Sequence, residues 1–99
     1  MNIKILPTAI EDLHTGRLFY EKQGAELGEY FFDTLFSDID SLILFPEKHS
    51  KVFGYHRLLS KRFPFAIYYK IEQDIAVVYR VLDQRQNPDK TKSSLNSTD

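Results

Sequence analysis

The chain is 99 residues long, 42% hydrophobic and 14% aromatic, with 13 Lys/Arg against 14 Asp/Glu and a formal net charge of −1. A chain of this length has room for one domain, burying about 60 to 70% of its unfolded surface, and excludes a second. It contains no cysteine, which rules out disulfides, thiolate metal sites and a cysteine nucleophile.

The N-terminal stretch Met1-Asn-Ile-Lys-Ile-Leu-Pro7 lacks an apolar signal core, and no segment approaches the ~20 apolar residues of a membrane span. A cytoplasmic protein with no membrane partner is the expectation. Asn2 to Leu6 alternates polar and apolar residues, as a short first strand halted by Pro7 does. Thr8 and Glu11 have capping-box spacing, which predicts a helix beginning near Ala9. Ala9, Ile10, Leu13 and Tyr20 give that helix its apolar stripe, Gly24 suits a left-handed stop, and Gly16 calls for a close packing contact.

A second helix follows from Leu27, Phe31, Leu35, Ile39 and Leu42 at helical spacing, ending by Pro46. Val52 to Leu59 reads as an irregular strand, Phe65 to Glu72 and Ile75 to Leu82 as clear ones joined by a tight turn at Gln73-Asp74. The expected core sets Phe31, Leu35, Ile39 and Leu42 against Ile67, Tyr69, Val77 and Tyr79. After Pro88 only one side chain in eleven is apolar, so residues 89–99 read as a flexible polar tail behind a single domain over 1–88. The element order β-α-α-β-β-β predicts an α+β fold, an antiparallel sheet covered on one face by a helical hairpin.

Charge is segregated along the chain. Residues 1–49 carry four Lys/Arg and nine Asp/Glu, residues 50–99 nine and five. The basic half suits nucleic acid, an acidic protein or an acidic inhibitor segment, or else is ordinary solvated surface. Its candidate binding residues are Arg57, Lys61, Arg62, Tyr68, Arg80 and Arg85, with guanidinium forks for phosphate or carboxylate and a ring for stacking. Cross-strand charge pairing and half-buried tyrosines are the alternative use of the same residues, above all for Lys70. No phosphate loop, nucleophile elbow or metal-ligand spacing of His14, His49 and His56 is present, so no cofactor or metal is expected.

The run Arg62-Phe63-Pro64-Phe65 into an aromatic strand, then Leu82-Asp83-Gln84-Arg85 and Asn87-Pro88, after two helices, resembles the RelE/ParE superfamily of toxins from type II toxin–antitoxin systems. The wording is closer to the ParE and plasmid-stabilisation branch. That resemblance implies growth inhibition by binding and poisoning DNA gyrase, with neutralisation by a cognate antitoxin in a toxin–antitoxin hetero-oligomer. A RelE-like ribosome-dependent mRNA endonuclease is the alternative, with ribosome and mRNA as partners and Arg57, Lys61 and Arg85 as candidate catalytic groups. In such enzymes an arginine would fall near Ala66 and a C-terminal tyrosine near Thr91, and this chain has neither. An inactive toxin-derived binding module is the third reading.

Overall fold

The computed structural model describes residues 1–97. Strand β1 (Asn2–Ile5) leads into a helical hairpin, α1 (Pro7–Glu21) and α2 (Ala25–Asp40), extended by a single 3-10 turn at Ser41–Ile43. Then come β2 (Lys51–Val52), β3 (Tyr55–Leu59), β4 (Phe65–Glu72), β5 (Ile75–Asp83) and α3 (Pro88–Asn96). The strands form one sheet in the order β1-β5-β4-β3-β2. Tight hairpins make β2 to β5 antiparallel neighbours, whereas β1 reaches β5 only after the helical hairpin and pairs with it in parallel. The fold is α+β as expected, with a mixed sheet rather than a purely antiparallel one.

The helices form for identifiable reasons. Pro7 takes the first position of α1, where its missing donor costs nothing, and Leu6 is the cap residue. Thr8 therefore does not cap the helix: its hydroxyl donates to the Tyr79 carbonyl at 3.0 Å and ties α1 to the sheet. Gly24, at φ 173, is extended rather than left-handed and starts α2 instead of closing α1. Gly16 has the close packing contact expected of it, since a Cβ there would lie 2.5 Å from the Phe31 ring of α2.

Phe31, Leu35, Ile39 and Leu42 pack with Ile67 and Tyr69 in the main core, as their spacing predicts. The contribution of β5 differs by one residue. Register jumps from Tyr68↔Arg80 to Tyr69↔Val78, leaving Tyr79 as the extra residue of a β-bulge. Ala76, Val78 and Val81 thus face the helices, while Tyr79 packs on the opposite side and Val77 lies opposite Lys70. The expected core positions Val77 and Tyr79 are corrected accordingly.

Two further expectations are revised. The strand expected over Val52 to Leu59 is a hairpin, because Phe53 (φ 55) and Gly54 (φ 84) turn the chain. Gln73 (φ 49) and Asp74 (φ 66) make the corresponding turn between β4 and β5 without glycine. Residues 89–96, expected to belong to a flexible tail, form α3 together with Pro88. Asn87 accepts the Asp89 N–H at 2.8 Å, Pro88 takes the first turn, and Thr91 and Leu95, one helical turn apart, are both buried. Leu95 joins Tyr55, Ala66, Tyr68 and Leu82 in a second apolar cluster on the sheet face away from the hairpin. Residues 98–99 of that expected tail lie outside the described residues.

Candidate functional site

The alternation of β3, β4 and β5 places three of the six candidate side chains in one row. Arg57 pairs with Tyr68 across β3 and β4, and Tyr68 with Arg80 across β4 and β5. All three lie on the face that α3 covers. Gln84, just past β5, links them: its amide donates to the Tyr68 hydroxyl at 3.1 Å, and Arg57 Nη1 donates to its Oε1 at 3.4 Å.

Burial decides what this row can do. Tyr68 is 1% exposed, so its ring fills the second cluster instead of offering a stacking platform. Arg80 grips Asp12 of α1 through Nε at 2.7 Å and Nη2 at 2.9 Å, and its Nη1 donates to the Ser94 carbonyl of α3 at 3.1 Å. Hydrogen bonding to Asp12 holds the Arg80 guanidinium pKa above its ordinary value. Arg57 is half-buried and keeps the weakest tie of the three. Lys70, on the same face, lies over the Tyr55 ring at 4.6 Å and the Tyr79 ring at 5.3 Å, a cation–π arrangement rather than an ion pair.

The other candidates sit apart from this row. Lys61 and Arg62 occupy the loop between β3 and β4, exposed, and line a cleft with Tyr30, Asp33 and Asp38 of α2. Arg85 is exposed beyond β5, folded onto Asp83 by bonds of 3.0 and 2.7 Å from Nε and Nη2, with its guanidinium 5.9 Å from the Phe19 ring. The hydrogen bond from Arg85 holds the Asp83 carboxyl below its ordinary value. Arg85 is thereby presented in one orientation at the rim of the helical side. The six residues divide into a covered row, a loop pair and a rim arginine.

Ala66 and Thr91, the positions that the resemblance to RelE-like nucleases brings into question, are both buried. Ala66 is 0% exposed between Leu59 and Leu82 in the sheet register. Thr91 is buried on the inner side of α3 and accepts a hydrogen bond from Gln86 at 3.1 Å. Neither is able to stabilise charge on a phosphorane. Among the described residues no group of three or more His, Asp or Glu side chains is placed to hold a metal ion, and no helix is long and apolar enough to cross a membrane.

Asp12 and Gln84 are the participants that pattern reading passed over. Asp12 accepts from both Arg80 and the Val81 N–H at 2.9 Å, on a stretch of β5 beyond Val78, the last residue that pairs with β1. An arginine placed mid-strand in an otherwise apolar run was the available signal that a carboxylate had to lie opposite.

Residues 3–88 match the family model described as the ParE toxin of type II toxin–antitoxin system, parDE. Among solved structures, the chain is similar to one described as a chromosomal ParDE TA system from P. aeruginosa, with TM-score 0.74 and 20% identity over 82% of this chain and 92% of that one. At that identity the likeness shows the shared fold. No curated protein matches the sequence significantly.

Proposed function

Because the chain belongs to the ParE toxin family of type II toxin–antitoxin systems, we propose that it arrests growth in the cytoplasm by binding DNA gyrase and that a cognate antitoxin neutralises it in a hetero-oligomer. The observation that carries binding over mRNA cleavage is the sealed second face of the sheet. Ala66 and Thr91 occupy the places where a RelE-like nuclease would need an arginine and a tyrosine, and Tyr68 is packed under α3. A binding toxin needs exposed, oriented contact groups instead. Arg85, held by Asp83 and exposed, and the loop pair Lys61 and Arg62 meet that description. The antitoxin is expected to shield these cations with an acidic, amphipathic segment laid along the helical hairpin.

Expression without antitoxin tests the reading. Growth arrest should come with DNA-damage signalling and gyrase stalled on DNA, while ribosome-bound mRNA stays intact. Arg85→Ala should weaken gyrase binding about 5- to 150-fold, the loss of one charged contact worth about 1 to 3 kcal/mol. Codon-register mRNA cleavage on translating ribosomes, lost in Arg85→Ala, would move the chain to the nuclease branch. Neither activity would leave the inactive binding module.

A further inference from the structure

The apolar stripe of α2 carries a carboxylate. Phe31, Leu35 and Leu42 pack in the main core, and Asp38 falls on the same stripe, one helical turn after Leu35 and one before Leu42. Asp38 is 7% exposed, and its Oδ2 is buried with no hydrogen-bond partner among the described residues. It also stands in the last turn of α2, the end of the helix dipole that disfavours an anion. A buried and unmet carboxylate costs stability and returns none to the fold. Packing does not account for it.

Asp38 lines the cleft between α2 and the β3–β4 loop, whose volume is about 320 Å³. Asp33 and Thr34 of α2 line it too, and Lys61 and Arg62 come from the loop. These two carboxylates and two cations are not paired with one another: among the described residues the ion pairs are Arg80 with Asp12 and Arg85 with Asp83. The other buried polar side-chain atom without a partner is Ser60 Oγ, in the residue that precedes Lys61. Both unmet atoms thus belong to the two elements that form this cleft. Opposite charges held apart in one cleft select a ligand by its charge pattern. A bare cation is repelled by Lys61 and Arg62 and a bare anion by Asp33 and Asp38, whereas a molecule with an ammonium and a carboxylate gains from both pairs. The volume lies near the small end for ligand pockets, which suits a compact molecule. Because Asp38 is buried while Asp33 is exposed, the ammonium must be small and must bring N–H donors to satisfy the deeper carboxylate.

We propose that this cleft binds a small zwitterionic amino acid, with its primary ammonium on Asp38 and the Thr34 hydroxyl and its carboxylate on Lys61 and Arg62. The proposal rests on neither gyrase nor an antitoxin, and Asp38 is not among the gyrase contacts proposed above. It is a binding site and requires no reaction.

Amide NMR titration of the full chain with glycine, β-alanine and γ-aminobutyrate, which step the distance between the two charges, tests it in the absence of gyrase. At least one should bind saturably and shift the amides around Asp38 and those of the β3–β4 loop together. Asp38→Asn keeps the shape and should weaken that binding about 10- to 150-fold through loss of one charge-assisted hydrogen bond, without lowering the thermal midpoint of the free chain. K61A/R62A, at exposed positions, should weaken it about 3- to 10-fold. The N-trimethyl derivative of the best ligand keeps both charges but has no N–H, and should bind about 10-fold more weakly or worse. No saturable binding by any of the three overturns the proposal, since water alone would then meet Asp38. Unchanged binding by Asp38→Asn or by K61A/R62A overturns it as well, as does equal binding of the trimethyl derivative or of propylamine, which has no carboxylate. A marked drop in the thermal midpoint of Asp38→Asn would assign Asp38 to the fold and is equally fatal.

Discussion

Tyr69 lies within the main core at 0% exposure, stacked on His56 and donating its hydroxyl to the Pro46 carbonyl at 2.5 Å. Burial raises its pKa from the ordinary 10.0 to about 12. The sign of the consequence follows from linkage. Below pH 10 both folded and unfolded chains keep the phenol protonated; between 10 and about 12 the unfolded chain ionises first, so stability falls as pH rises through that window. Tyr69→Phe should lower stability near neutral pH by about 1 kcal/mol through the lost hydrogen bond. Its deficit should shrink towards pH 12, because the variant has no phenol there to ionise. Urea unfolding of both proteins across pH checks this, and parallel curves through the window would refute it. Gly16 shows the same primacy of environment over intrinsic preference. Alanine is the better helix former by about 1 kcal/mol, yet its methyl would meet the Phe31 ring.

Helix α3 is where local chemistry and composition disagree. Its mean character is polar, but Leu95 is 1% exposed, Thr91 is buried, and Tyr55 Oη donates to the Leu95 carbonyl at 3.4 Å. Truncation after Pro88 should therefore cost more than about 2 kcal/mol, and Leu95→Ala about 2 to 5 kcal/mol if the cavity stays open. Calorimetry on both variants measures it; a truncated chain as stable as the full one would show that α3 contributes nothing to the fold. Composition missed this helix because one leucine per eleven residues is too little to nominate a core element. The Asn87-Pro88 start signal was nonetheless present. Periodicity served well where an element buries a whole stripe, as in α2 and β4. It failed on β5, where the bulge at Tyr79 changes which residues face inward, and on Val52 to Leu59, where a turn without the usual Asn or Asp at its first position hid a hairpin. The candidate site was legible as a set of residue types and not as a place. Arg57, Tyr68 and Arg80 share a face by strand alternation, but that α3 would cover them depended on the one element the composition concealed.

One ion pair joins every layer of the molecule. Arg80 of β5 takes both carboxylate oxygens of Asp12 in α1 and the Ser94 carbonyl in α3, so the helical hairpin, the sheet and the covering helix meet at a single guanidinium. The pair also links the acidic first half of the chain to the basic second half. Its side chains are 19% and 14% exposed, a setting in which a lone charge is poorly solvated. Removing one partner should therefore do more than delete a surface bridge. Asp12→Asn keeps the shape and one acceptor but leaves Arg80 uncompensated and weakens the tie to the Val81 N–H. The expected cost is about 3 kcal/mol of global stability, near the lower end for breaking a buried pair. Hydrogen exchange separates this from a local effect: amides of α1, β5 and α3 should lose protection together. Loss confined to α3, with the α1 and β5 amides unchanged, would show that the hairpin and sheet are held by the apolar core alone and that Arg80 serves only to dock the last helix.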